Sequence, residues 1–314
     1  MDSVMLDDLD RRLLHALHLD GRAPFSRIAE VLDVSDRTVA RRLARLRATG
    51  AARVTATIDV PGRAEWLVRA RVSPDGAAPL ARALARRPDT RWVTVLSGGT
   101  EILCILRASA ADPAPLRALA RSPQVGDVEA HRLLRHLMDG RWRGRTSALT
   151  AEQAAALRPS APGDAAAPAP SDLDRRLLPV LAADGRAAYP ALARRVGWSE
   201  SAVRRRLDEL RRARALRFDV EIDPALFGFA VQCLLWLTVA PARLAAVAGS
   251  LAADAEAAFV GATTGPHNLL VIAVCRDDAA LYAYLSDRIG ALDGVERVET
   301  VPITSYAKRV APAV

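Results

Sequence analysis

Lysine is almost missing from this sequence. Of 44 basic residues only Lys308 is a lysine, so the formal net charge of +8 and the pI near 10.3 rest on arginine. Such a balance favours polyanionic partners and says nothing about fold. Cysteine is nearly as scarce. Cys104, Cys233 and Cys275 form no C-x-x-C pair and lie in strand-like apolar runs, which argues against a disulfide framework or a zinc site. Long hydrophobic runs are lacking too: none approaches the roughly 18 residues of a membrane span, and the stretch 227–239 is short and strand-like. No positive-then-apolar leader opens the chain, so the expectation is a cytoplasmic protein with no membrane partner. With 51% hydrophobic and 25% charged residues, the 314-residue chain reads as globular, with room for two or more cores.

What is present is a repeat. Leu9-Asp10-Arg11-Arg12-Leu13-Leu14 recurs unchanged at Leu173-Asp174-Arg175-Arg176-Leu177-Leu178, and Asp20-Gly21-Arg22-Ala23 recurs at Asp184-Gly185-Arg186-Ala187. The offset of 164 persists through Phe25/Tyr189, Val39/Val203, Leu43/Leu207, Leu46/Leu210 and Ile58-Asp59/Ile222-Asp223. Chance does not hold one register that long. Further on, Gly98-Gly99-Thr100-Glu101 aligns with Gly265-Pro266-His267-Asn268 at an offset of 167. Between the copies, 158–170 is a Pro/Ala linker expected to be extended. Before it, Thr150 and Gln153 have capping-box spacing ahead of a short helix to Leu157.

Each copy opens with three helical patterns. In copy one, Leu6, Leu9, Leu13, Leu14 and Leu17 share a face that stops at Asp20-Gly21, and a short helix follows over about 26–32. A tight turn at Asp33-Val34 then leads to Ser35, an N-cap for a third helix reaching Ala48. Two short helices joined by such a turn make a helix-turn-helix, whose second helix enters the major groove. On a helical wheel Val39, Leu43 and Leu46 face inward, while Arg37, Arg41 and Arg45 form an opposite stripe with Thr38 beside it. Arg42 lies nearer the core edge, placed for a phosphate or an internal acid. The candidate DNA contacts of copy one are Ser35, Arg37, Thr38, Arg41, Arg42 and Arg45. Those of copy two are Ser199, Ser201, Arg204, Arg205 and Arg206. There the stripe becomes Ser201, Arg205 and Glu209, and Pro179 falls inside the first helix, where it should cause a kink. The second head is therefore expected to bind more weakly or to read another half-site.

After each head comes a βαββαβ pattern. In copy one the strands are expected near 66–72, 92–96, 101–107 and 128–137, with helices at 78–87 and 113–121. In copy two they are expected near 231–239, 257–262, 268–275 and 295–303, with helices at 242–253 and 279–289. This is a ferredoxin-like plan, a four-stranded antiparallel sheet with helices on one face. The other face is apolar as well and needs a second sheet, from the sister copy or a second chain. The fold class is thus α+β, two repeats of a three-helix winged-type helix-turn-helix head plus a βαββαβ sensor domain. The implied domains are 1–51, 52–145, a linking segment 146–171, 172–215 and 216–314.

A helix-turn-helix, an intervening strand (54–60 and 216–222) and a βαββαβ sensor together resemble the Lrp/AsnC, or feast/famine, family of transcriptional regulators. The residues carrying the resemblance are Leu9-Asp10-x-x-Leu13-Leu14, Asp20-Gly21-Arg22, the helix start 35–42, the Gly98-Gly99 turn, and Thr264-Gly265-Pro266-His267-Asn268-Leu269-Leu270. Membership implies binding to double-stranded DNA, a dimer of sensor domains with further assembly, and often a small effector such as an amino acid. An intrachain pseudo-dimer would serve as well as a homo-oligomer. By position the effector residues would be Gly98, Gly99, Thr100, Glu101, Gly265, Pro266, His267 and Asn268. Two heads would be held at a spacing of about 34–36 Å or multiples of it.

The alternative is a siroheme-decarboxylase-like two-module enzyme, a class similar to this family. It implies histidines and arginines gathered around a tetrapyrrole. The histidines here are dispersed: His15 and His18 in the first head, His131 and His136 in one strand, His267 at a sensor turn. A spacing of five residues puts His131 and His136 on opposite faces of that strand. No catalytic triad, metal-ligand cluster or phosphate-cradling loop is present, so no enzyme activity and no cofactor are expected.

Overall fold

The computed structural model describes residues 5–58, 63–87, 89–109, 118–137, 148–158, 168–169, 171–213 and 215–309. Copy one runs α1 (Asp8–Leu19), α2 (Phe25–Leu32), α3 (Asp36–Ala48), β1 (Ala52–Ile58), β2 (Arg63–Val72), α4 (Pro74–Arg86), β3 (Thr90–Leu96), β4 (Glu101–Ser109) and β5 (Val125–His136). One helix, α5 (Ala151–Leu157), follows. Copy two runs α6 (Asp172–Ala183), α7 (Tyr189–Val196), α8 (Glu200–Arg212), β6 (Leu216–Ile222), β7 (Val231–Val239), α9 (Leu244–Leu251), β8 (Ala257–Thr263), β9 (Leu269–Cys275), α10 (Asp278–Ala283) and β10 (Val295–Lys308). The chain forms two compact units, one of residues 1–61, 145–226 and 314, the other of 62–144 and 227–313. Spatial grouping therefore cuts across the repeat: head joins head, and sensor joins sensor. No described helix is long and apolar enough to cross a membrane.

In the first unit each head is built as the apolar spacing predicts. Leu13, Leu14, Leu17, Ile28, Leu32, Val39, Leu43 and Leu46 are buried in head one. Leu177, Leu181, Leu192, Val196, Val203, Leu207 and Leu210 are their counterparts in head two. Capping boxes open α1 and α6, with Asp7 and Ser171 each accepting from the backbone three residues on. Helix α6 continues past Pro179 to Ala183, and Asp184 N–H closes it on Val180 O at 2.9 Å. The proline is thus accommodated within the helix. The Thr150–Gln153 capping box forms at the start of α5, which Arg27 clamps through the Ala156 carbonyl at 2.9 Å.

Strands β1 and β6 pair antiparallel, Val54 opposite Val220, and each copy's strand lies against the first helix of the other copy's head. The Asp-Gly-Arg-Ala segments close this arrangement. Arg22 donates to the carbonyls of Gly185 (2.7 Å) and Ala187 (3.1 Å), and Arg186 donates to those of Gly21 (2.7 Å) and Ala23 (2.9 Å). Each guanidinium also covers a ring of the opposite head, Arg22 over Tyr189 at 4.8 Å and Arg186 over Phe25 at 4.4 Å. Arg47–Asp184 (2.8 Å) and Arg211–Asp20 (2.9 Å) repeat the same exchange outside it. Burial, with Arg22 close by, pulls the Arg186 guanidinium down to about 10. The close approach needs glycine: a Cβ on Gly21 would lie 2.8 Å from Phe218 Cβ, and one on Gly185 3.0 Å from the Thr55 carbonyl carbon.

The second unit is one closed eight-stranded sheet in the order β10-β3-β4-β2-β5-β8-β9-β7. Each copy contributes the ferredoxin-like order, and each copy's last strand pairs with the second strand of the other: β5 with β8, and β10 with β3. The sister sheet is therefore supplied within the chain, and its edges join as well as its faces. Leu67, Leu96, Leu103, Leu133, Leu234, Trp236, Leu270 and Val301 fill the inside. Outside, α4 packs on the first sheet and α9 on the second. Helix α4 begins four residues earlier than the expected 78, because Pro74 is favoured in a first helical turn. Strand β10 runs to Lys308, beyond the expected 303, because it pairs first with β7 and then with β3. Residues 59–60 of the expected intervening strand, 113–117 of the expected helix, and 159–167 and 170 of the linker lie outside the described residues.

The two histidines of β5 are not placed as expected. His131 and His136 share the inner face of β5, because a bulge between Leu133 and Arg135 inserts one residue and reverses the alternation. His131 lies beside Trp236 and His136 beside Phe259, both inner-face rings.

Arg22→Lys keeps the charge but loses the fork that spans two carbonyls. It should lower stability by about 2–3 kcal/mol, the scale of hydrogen bonds to a charged group. Urea unfolding of the full chain measures this, and a wild-type transition in the lysine variant would show that the reciprocal contact is not needed.

Candidate functional site

The recognition helices α3 and α8 begin alike. Ser35 accepts from Thr38 N–H at 3.1 Å and Ser199 from Ala202 N–H at 3.2 Å. Ser35 also meets the Thr38 hydroxyl at 2.9 Å, and Ser199 the Ser201 hydroxyl at 3.1 Å, so the small polar residues order the helix starts. Beyond the caps the helices differ in what their arginines touch.

In head one Arg37 and Arg41 project into solvent with no hydrogen bond or ion pair among the described residues. Arg42 takes the internal-acid alternative, pairing with Asp7 at 2.6 Å and Asp10 at 2.9 Å. Its hydrogen bond holds the Asp7 carboxyl below the usual range. The wheel put Arg45 in the free stripe, but its guanidinium reaches Asp10 on α1. Arginine is long enough to fold back across a helix surface, which wheel angles do not register.

In head two all three arginines of the Arg204-Arg205-Arg206 run are engaged. Arg204 pairs with Glu200 at 2.9 Å and covers Tyr189 at 4.1 Å. Arg205, 76% exposed, lies 3.8 Å from Glu209. Arg206 is held by Asp174 (2.6 Å), Glu209 (3.1 Å) and the Ala169 carbonyl (2.7 Å). Burial raises the Asp174 carboxyl, but hydrogen bonds from Arg206 and Ser171 outweigh it and leave that group below the ordinary range. Glu209, expected to face the duplex, serves instead as a partner for its neighbours.

The sensor turns lie at one end of the closed sheet. In copy one Gly98 has φ 67° and Gly99 φ 101°, both left-handed. Gly98 N–H donates to the Thr304 hydroxyl at 2.9 Å, and the Thr100 hydroxyl donates to Ser97 O at 3.0 Å. Glu101 is 2.7 Å from Arg69, which also reaches Glu299 of copy two at 2.7 Å. In copy two Gly265 has φ 104° and packs against the His131 ring, leaving no room for a Cβ. The Pro266 carbonyl accepts from Thr238 at 3.0 Å. His267 meets the Thr238 hydroxyl at 3.1 Å and lies 3.5 Å from Glu299. The Asn268 amide accepts from Val239 N–H (2.9 Å) and donates to Val239 O (2.7 Å).

Sequence reasoning missed Arg69, His131, Trp236 and Glu299 as neighbours of these turns. All four sit mid-strand, and only the closed sheet brings them there. Trp236 is 2% exposed between His131 and His267, and its indole N–H has no acceptor among the described residues. At the opposite end Glu65 gathers His136 (2.7 Å), Arg91 (2.8 Å) and Arg107 (2.9 Å). Burial raises the Glu65 carboxyl, but these three donors overcome it and drive it far below the usual range. The corresponding place in copy two holds a neutral pair, Tyr306 donating to Gln232 at 2.7 Å.

Three comparisons bear on this arrangement. The AsnC-type helix-turn-helix domain is matched at residues 6–47 and 171–211, and the Lrp/AsnC ligand binding domain at 232–311. An uncharacterized HTH-type transcriptional regulator of Pyrococcus abyssi is 30% identical over 138 residues, covering 44% of this chain and 87% of that protein. Its counterpart in Pyrococcus furiosus is 31% identical over 138 residues, covering 44% and 93%. Among solved structures, the siroheme decarboxylase NirDL superposes with a TM-score of 0.63 at 14% identity, covering 97% of this chain and 93% of that one. At that identity the last likeness speaks for the fold alone.

The Glu65 cluster has a defined pH signature. A carboxylate whose folded pKa is depressed contributes stability above its unfolded value of about 4.3, and loses it as pH falls towards the folded value. Glu65→Gln should therefore lower stability at pH 7 and flatten the decline below about pH 4.3. Parallel denaturation curves of wild type and variant from pH 7 to pH 3 would contradict this.

Proposed function

The chain belongs to the Lrp/AsnC family of transcriptional regulators, and on that premise we propose that its first head leads DNA recognition. The second head then reads a different or weaker half-site. The observation carrying this is the contrast in free cations: Arg37 and Arg41 on α3 are exposed and have no ion pair among the described residues, whereas Arg204, Arg205 and Arg206 on α8 all face carboxylates. Arginines already neutralised release fewer counterions from DNA and contribute less to affinity. Arg37, Thr38 and Arg41 read base edges, with Ser35 setting the start of the helix. Both heads belong to one compact unit, so a single chain presents the pair that a homodimer would otherwise assemble.

An effector site at the turn end of the closed sheet accords with the same reading. Glu101 and Asn268 are already satisfied by Arg69 and the Val239 backbone. The open valence is the buried Trp236 N–H beside His131 and His267, which suits a hydrogen-bond acceptor on a small metabolite. The protein works as a cytoplasmic DNA-binding regulator without catalysis. A siroheme titration tests that last point, since a shifted Soret band with turnover would restore the enzyme alternative.

Arg41→Ala should weaken operator binding by roughly tenfold or more, the loss of one good base contact, and Arg205→Ala by less. Equal losses in gel-shift titrations at one fixed salt concentration would sink the asymmetry.

A further inference from the structure

Asp10 carries more than the cap of α1. Its side chain is fully buried, yet two arginines of the recognition helix converge on it, Arg42 at 2.9 Å and Arg45. Within the capping box Asp7 accepts from Asp10 N–H at 2.8 Å, and Asp10 Oδ2, the oxygen that Arg45 reaches, accepts from Asp7 N–H at the longer distance of 3.3 Å. Arg42 has a second partner in Asp7, whereas Asp10 is the only ion-pair partner Arg45 has among the described residues. Arg45 is nonetheless half exposed, on the same helix as the free Arg37 and Arg41. Without Asp10 its guanidinium would be a third mobile cation on the face turned to a polyanion.

We propose that Asp10 is a specificity-positioning residue that withholds Arg45 from the phosphate backbone, so that affinity from head one is carried by Arg37 and Arg41. This rests on the reading of α3 as the leading DNA helix. The chemistry is a competition between one fixed buried carboxylate and many phosphates. A buried carboxylate at short range from a guanidinium, even a half-exposed one, is screened less by salt than a phosphate contact in solvent. Phosphate contacts raise binding to every sequence, whereas base-edge contacts discriminate among sequences. Keeping Arg45 on Asp10 therefore lowers non-specific affinity while leaving base reading intact. Head two is built otherwise: Asp174 holds Arg206, and the position equivalent to Arg45 is Glu209. There the cation has been removed outright; in head one it is kept and restrained.

The slope of log K against log salt, close to −0.9 per phosphate contacted on duplex DNA, separates this from a structural role. Full-length wild type, Arg41→Gln, Arg45→Gln, Asp10→Asn and Asp10→Asn/Arg45→Gln would be titrated with an operator fragment and a scrambled duplex over a range of potassium chloride concentrations. Arg41 is the reference for a free cation. Arg45→Gln is expected to leave the slope unchanged, and Arg41→Gln to weaken binding. Asp10→Asn should steepen the slope by about one phosphate contact and tighten binding to scrambled DNA several-fold. The double variant should return to the wild-type slope, which a general loosening of the head would not do. A slope that becomes shallower in Arg45→Gln by about one contact would overturn the proposal, because Arg45 would then already be on a phosphate. So would an unchanged slope in Asp10→Asn with its helical content intact. Should Asp10→Asn fail to fold, Arg45→Gln alone decides. Wild type with no salt-dependent binding to either duplex would instead remove the reading of α3 on which this rests.

Discussion

Everything in the head unit depends on two arginines that each complete the other copy's turn. Arg22 and Arg186 bring positive charge into a place partly withdrawn from water, with no ion pair to a carboxylate among the described residues, and they settle on backbone carbonyls and aromatic rings. Such an arrangement is stable only if both turns are present and correctly spaced. The glycines before the arginines supply the spacing, and the flanking Arg47–Asp184 and Arg211–Asp20 pairs supply the counter-charge. Remove one head and the turn carbonyls and guanidinium of the other exchange these partners for water, and the pairing is lost. The identical Asp-Gly-Arg-Ala segments are therefore a joint, and the joint explains why they resisted change while much around them diverged.

Divergence lies where the joint does not reach. The Glu65–His136 charge cluster of copy one faces a neutral Gln232–Tyr306 pair in copy two. Arg69 of β2 stands where copy two has Trp236, and the turns they approach carry Glu101 against Asn268. Each substitution keeps the sheet closed while altering its lining. The recognition helices tell the same story, with Arg45 held by a carboxylate in one head and exchanged for one in the other. Pseudo-symmetry is thus preserved in the apolar cores and the joint, and relaxed in the polar lining of the closed sheet and on the third helices of the heads.

Much of this was legible from letters alone. Apolar spacing located the third helix of each head, and the capping serines, the Thr150–Gln153 box and the short apolar runs of β7 and β9 were all visible in sequence. The Asp-Gly pairs were read only as helix stops, since nothing local reveals that Arg22 crosses to the other copy. The bulge in β5 was invisible for a related reason: it follows from the register with β8, more than a hundred residues away. Arg45 was misplaced on the wheel because its partner lies on another helix. Trp236 and Arg69 escaped notice because a mid-strand residue becomes part of a site only when sheets close.

The exchange of edges between β5 and β8, and between β10 and β3, has a consequence for assembly. In a dimer of separate subunits that seam would form at a rate and to an extent set by protein concentration. Here both partners are tethered, so closure is a first-order event at a fixed effective concentration. Dilution in a cell does not open it, and a related single-module protein competing for the same edge faces an intramolecular rival. The fusion thereby insulates an unequal pair of modules from subunit shuffling, which is the condition under which two recognition surfaces can drift apart and still always act together.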